Sequence, residues 1–125
     1  MTFELQRERH GIAYKFSGVV TSDEIERSEA EFNADPSFDE LKYFIWDASD
    51  IETLSLPNEL VEFFAATDAV SSISSSLKGA FVATNNEVIN KVNHYINLSE
   101  KFNTNWKLKL FDSNENARNW IEYER

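Results

Sequence analysis

The chain has 125 residues, no cysteine, and 22 acidic against 12 basic side chains, giving a net charge of −10. Those totals exclude a disulfide framework, a thiolate metal site and a cysteine nucleophile. They also oppose nucleic-acid binding, which needs a basic face to displace counterions from phosphate. The hydrophobic content of 42% supplies one core for a single domain over 1–125, and the ten Phe, four Tyr and three Trp make that core aromatic.

Charge is unevenly distributed. Ser22 to Asp68 holds 14 acidic and 2 basic residues, a balance of −12, whereas the remainder is +2. A bias of this kind is ordinarily a solubilising surface. The sharper reading is an acidic face, including Glu26 and Glu29, that meets a basic protein partner. Anionic membrane surfaces are disfavoured for the same electrostatic reason. The amino-terminal residues lack the apolar core of a signal peptide, and no stretch approaches the roughly 20 apolar residues of a membrane span. The expectation is a soluble, cytoplasmic protein.

Thr2 to Glu8 alternates, with Phe3 and Leu5 on one side, and predicts a strand with one buried face. Arg9-His10-Gly11 reads as a tight turn into a second strand, Ile12 to Val20, whose inner face is Ile12, Tyr14 and Phe16. Thr21 or Ser22 then caps a helix that carries Asp23 and Glu24 at its positive end, and Pro36 closes it. Its inward stripe is Ile25, Ser28, Glu29 and Phe32. The run Tyr43-Phe44-Ile45-Trp46 is continuously apolar, as expected of a central strand covered on both faces, and Asp47 ends it. A polar loop follows up to Pro57, which suits the first turn of a second helix. That helix is expected to bury Leu60, Phe63, Phe64, Thr67 and Val70, and to end in a linker-like serine stretch, Ser71 to Ser76.

Lys78 to Ala83 is a short interior strand, and Thr84-Asn85-Asn86 caps a third helix with Val88 or Ile89, Val92, Tyr95 or Ile96, Ser99 and Phe102 along one side. Trp106 to Phe111 alternates with Lys107 and Lys109 and reads as an edge strand, because lysines discourage stray pairing there. A final helix begins at Asp112 or Ser113, with Ala117, Trp120 and Ile121 inward. The order is ββαβαβαβα. It predicts an α/β layered domain with a mostly parallel five-stranded sheet, about four helices and right-handed crossovers.

Several segments within that order are similar to the STAS-like, SpoIIAA-like family of small α/β domains. They are the opening hairpin, G-V-V-T-S-D-E-I, D-P-S-F-D, I-W-D, L-P-N-E-L, A-F-V-A and L-F-D-S-N-E-N-A-R-N-W-I. The family includes bacterial anti-sigma-factor antagonists, and the chain most resembles its uncharacterised branch, sometimes grouped with Sec14-type lipid carriers. Antagonists carry a D-S-S-G-type motif after the central strand, where a serine is phosphorylated and the added charge breaks the partner complex. Here the corresponding stretch is D-I-E-T-L-S-L-P-N, without the flanking Asp, second Ser and Gly. Thr53 and Ser55, with Ser49 earlier, are the only hydroxyls close to the switch position; ordinary loop or capping roles are the simpler reading.

Other chemistry finds little support in the residues. His10 and His94 are the only imidazoles, with no H-x-x-x-H pair, so no metal or other cofactor is expected. Three glycines, Gly11, Gly18 and Gly79, do not make a phosphate loop or a nucleophile elbow. Asp47 and Asp50 are the best carboxylate pair, near the carboxyl end of a parallel strand where α/β proteins place ligands. The simpler role for Asp47 is to accept backbone amides. Phe63, Phe64, Tyr95 and Phe102 are candidates to line an apolar pocket. Two readings of different class follow: a non-enzymatic regulatory module for protein partners, self-pairing through the Phe63/Phe64 helix included, or a carrier or sensor of a small apolar ligand or lipid.

Overall fold

A computed structural model describes residues 3–123. Five strands form one sheet in the order β1 (Phe3–Arg7), β2 (Gly11–Thr21), β3 (Tyr43–Ser55), β4 (Lys78–Val82) and β5 (Lys107–Phe111). Only the β1–β2 pair is antiparallel. Its turn closes through the Glu8 amide donating to the Gly11 carbonyl at 2.9 Å. Gly11 is required there by space, since a Cβ would fall 2.3 Å from the Tyr43 ring.

Helices α1 (Ser22–Asn33), α2 (Asn58–Ser71) and α3 (Asn86–Lys101) connect successive parallel strands, and α4 (Asn114–Tyr123) follows the last. When each crossover advances the chain by one strand in the same direction, right-handedness puts every connecting helix on the same face. The core divides accordingly. Phe16, Phe44, Phe81 and Trp106 meet Ile25 and Phe32 of α1, Phe64 of α2 and Val88 and Val92 of α3. On the opposite face Ile45, Ala80 and Val82 meet Ala117, with Trp120 and Ile121 packed beside them. Helix α4 connects no two strands among the described residues and packs on the opposite face.

The central strand is β3, flanked by β2 and β4, and β5 lies at an edge. The expected end of that strand at Asp47 is corrected: β3 runs on to Ser55, 13 residues in all. The long second strand supplies the partner, pairing through Thr21↔Ser55. The register shifts twice, because three residues of β2 (Lys15 to Ser17) span four of β3 (Asp47 to Asp50), and Gly18–Val19 face Ile51 to Thr53. These are β-bulges, each with an extra residue in β3. They turn the buried set to Ala48, Ile51 and Leu54, a spacing of three that masks the strand's period of two. Gly18, opposite the second bulge, has φ of 72°, a conformation that favours glycine.

Four smaller expectations are also corrected. Leu5 is exposed while Phe3 is buried, and their strand β1 lies at the edge of the sheet. Neither Thr21 nor Ser22 caps α1 through its side chain, although Asn85 does cap α3 by accepting from the Glu87 amide at 2.8 Å. Helix α2 buries Phe64 of the expected stripe and packs Leu60 against the core, but it adds Val61, Ala65 and Asp68 and leaves Phe63 62% and Val70 69% exposed. The serine stretch is anchored: Ser71 bonds Asn33, and Ser72 is buried, accepting from the Asn105 amide at 2.9 Å.

Candidate functional site

The three helices on one face do not close completely over the sheet. Between them lies a cavity of about 80 Å³, walled chiefly by Tyr14, Trp46, Phe64, Phe81, Tyr95 and Trp106. The aromatic floor comes from successive strands, with Phe81 edge-on to Phe44 and tilted against Tyr95 of α3, each 5.5 Å away between ring centres. Rigid, wide side chains on the strands keep the helices apart where no residue fills the gap.

One end of this cavity is polar. Asp68 of α2 is only 3% exposed. It accepts from the Tyr95 hydroxyl of α3 at 2.6 Å and from Asn33 Nδ2 of α1 at 3.2 Å. Asn33 also donates to Glu29, and its own Oδ1 accepts from Ser71 at 2.7 Å. One polar cluster therefore joins all three helices. Among the described residues no basic group forms an ion pair with Asp68; Lys91, in the same wall, donates instead to Asn58 at 2.7 Å.

The electrostatic consequence is strong. Loss of hydration, then the charge and hydrogen bond of Asp68, hold the Glu29 carboxyl well above its ordinary range. Two adjacent carboxyl groups in a dry site share a proton more readily than they both ionise. Tyr95 is likewise raised well above the usual phenol value, first by burial and then by Asp68 and Glu29. Tyr95 donates its hydroxyl proton to Asp68, and beside it the raised Glu29 carboxyl favours its protonated form. Trp106 adds a further polar atom to the region: its Nε1 is buried without a hydrogen-bond partner among the described residues.

Of the expected pocket residues, Phe64 and Tyr95 line the cavity. Phe63 lies on the outer side of α2, and Phe102 follows the end of α3 and is 41% exposed, so both are corrected. A helix's apolar residues do not reveal which of two apolar arcs meets the sheet. Asp68 was missed, yet its spacing from Val61 and Phe64 was the available signal, since all three share an arc at i, i+3 and i+7. Asn33 carries no comparable signal.

The switch-position residues occupy β3 instead of a loop, through the bulged pairing with β2. Asp47 is buried and accepts from the Ser49 amide at 3.0 Å, the Ser49 hydroxyl at 2.6 Å and Asn114 Nδ2 at 3.2 Å. Lys15 lies 3.2 Å from Asp50 and 4.0 Å from Asp47. The two carboxylates are thus engaged in tying β3 to β2 and α4. Thr53 and Ser55 are exposed on β3, and neither lines the cavity. No helix among the described residues is long and apolar enough to cross a membrane.

The five-stranded sheet, with its single antiparallel pair and four helices, defines a SpoIIAA-like fold. The chain is similar over 95% of its length to the solved structure of an uncharacterized DUF3478-family protein with a SpoIIAA-like fold from Shewanella loihica PV-4. The match covers 91% of that chain at a TM-score of 0.54 and 16% identity, a likeness of fold. No protein-family model and no curated protein matches the sequence.

Proposed function

We propose that this protein is a non-enzymatic STAS-like carrier or sensor of a small apolar ligand, held between the sheet and α1, α2 and α3. The observation that carries the reading is the cavity of about 80 Å³ inside an aromatic core, because interiors are otherwise packed nearly without voids. That volume is about half of the ~150 Å³ of an engineered apolar cavity that accepts benzene. A short alkyl chain fits as it stands, whereas a ring requires α2 or α3 to ease outward. A guest whose apolar body carries one acceptor oxygen also satisfies the unpaired indole of Trp106, since a buried donor without an acceptor costs about 1–3 kcal/mol.

Native mass spectrometry of gently purified protein tests it. The expected result is added mass that is lost on filling the cavity with Val92→Phe. Repeated recovery of bare protein, together with tryptophan emission unmoved by short-chain alcohols, would overturn it.

A second reading, a regulatory module for a protein partner, is favoured by the outer face of α2. Phe63, Ala66 and Val70 follow one another there at i, i+3 and i+7, and Ile73, in the turn after the helix, is 76% exposed. Exposed apolar stripes of this kind mark contact surfaces. The acidic residues Glu59 and Glu62 beside it suit a basic partner. Glu62→Lys weakens such a complex, and a complex indifferent to that change and to Phe63→Ser would remove this reading.

A further inference from the structure

The sheet carries a basic groove at the amino ends of its parallel strands, remote from the cavity. The backbone brings His10, Lys42, Lys78 and Lys107 into one row. The Lys42 amide donates to the His10 carbonyl at 2.7 Å, and the Lys78 amide to the Lys42 carbonyl at 3.0 Å. Lys78 stands opposite Lys107 in the β4–β5 register. With strands about 4.8 Å apart, three ammonium stems leave the sheet over roughly 10 Å. Arg118 of α4 lines the same groove, whose volume is about 760 Å³, and Tyr43, Leu77 and Ile121 give it apolar wall.

Structural duties account for only part of this charge. Arg118 is spent on Glu8, with guanidinium contacts of 2.8 and 3.1 Å. Lys78 donates to the Trp120 carbonyl at 3.0 Å and lies 5.1 Å from the centre of its ring, which fastens α4 but leaves the charge unpaired. Lys42 and Lys107 have neither a hydrogen bond nor an ion pair from their side chains among the described residues. Guarding a sheet edge explains Lys107, but Lys42 precedes the central strand. Against these three cations the groove presents one carboxylate outside an ion pair, Glu122. In a chain of net charge −10 such a concentration stands out.

We propose that this groove binds a phosphorylated small molecule carrying at least two negative charges. The free donors are ammonium groups, which hold phosphate as point charges, while the one guanidinium fork suited to a carboxylate is occupied by Glu8. The groove falls within the ~300–1,000 Å³ of small-molecule sites, and its apolar wall has room for the organic part of the molecule.

The test uses the full chain at low ionic strength, with pyrophosphate and adenosine diphosphate as probes and adenosine as the uncharged control. Amide shifts followed by NMR are expected at Lys42, Lys78 and Lys107 with both phosphates and to be absent with adenosine. The pair Lys42→Glu and Lys107→Glu is expected to weaken binding about tenfold or more. Lys101→Glu with Lys109→Glu changes the net charge equally and is expected to leave it within about twofold. All four lysines are exposed, so the fold is retained, checked by circular dichroism. Absence of shifts at the three lysines, or equal weakening by both pairs, would overturn the proposal. So would salt-sensitive self-association lost on reversing Lys42 and Lys107, because the groove then receives the acidic face of a second copy.

Discussion

Replacing Glu29 by Gln is expected to abolish a fall in stability that the native protein shows with rising pH. The Glu29 carboxyl is held well above its ordinary value of 4.5, first by loss of hydration and then by Asp68. An acid raised in this way keeps its proton in the folded chain at pH values where the unfolded chain has released it. Its contribution to stability is complete below about 4.5 and is lost as the pH climbs through the folded-state value. Inside that window each pH unit costs up to about 1.4 kcal/mol, and the comparison is made from about pH 5 to about pH 8. A domain of this size has only about 5–15 kcal/mol in total.

Gln at position 29 donates a hydrogen bond to Asp68 through its amide and carries no titrating proton. Urea unfolding followed by tryptophan emission across that range gives the comparison. The native curve is expected to fall relative to the variant by more than about 1 kcal/mol. Repulsion from the net charge acts on both proteins nearly alike, so the difference isolates the pair. Parallel curves would refute the shared-proton arrangement. Asp68→Asn, which removes the neighbouring acid, is expected to flatten the profile in the same way.

At the acid end, Asp35 behaves oppositely. Arg7, 2.6 Å away, holds its carboxyl down to about 2, with Ser37 contributing. Its stabilisation is present above its ordinary 3.8 and is lost as the pH falls from there toward about 2. Asp35→Asn is expected to make the acid limb of the stability curve shallower, read by thermal unfolding. Phe64→Ala is expected to cost about 3–5 kcal/mol, as for a buried aromatic, and Phe63→Ala to stay within about 0.5 kcal/mol. Equal effects in denaturant titrations would reverse the assignment of the inner face of α2. Gly79→Ala places a methyl 2.4 Å from the Phe44 ring and 2.7 Å from Leu108. A loss of about 1–3 kcal/mol is expected from overpacking, and a midpoint equal to that of the native chain would contradict the contact.

The element order and the place of β3 were legible because they rest on local chemistry. Phe44 and Ile45 point to opposite faces, and both are buried; only a strand covered twice requires that pattern. Pro57 and Asn85 mark helix starts through constraints that act within a few residues, fixed φ in one case and a side-chain cap in the other. Lys107 and Lys109 alternating with Leu108 and Leu110 disclosed an edge. The resemblance carried by short segments pointed to the SpoIIAA-like fold, which the three-dimensional likeness supports.

Tertiary structure decided the rest. Thr53 and Ser55 are in a strand because two bulges let β3 follow the whole length of β2, and bulges depend on the partner's register. Phe64 faces inward and Phe63 outward because α2 must seat Asp68 against Tyr95 and Asn33, residues brought to it by two other helices. The cavity exists only where three helices and aromatic strands meet, and a void has no residue of its own to betray it. The basic groove likewise arises from lysines far apart in the chain, aligned by successive parallel strands. The sequence by itself determined the order of strands and helices, since periodicity and turn chemistry act locally, but not how far β3 extends. Which side chains meet was settled by strand register and helix docking, through contacts between segments distant along the chain.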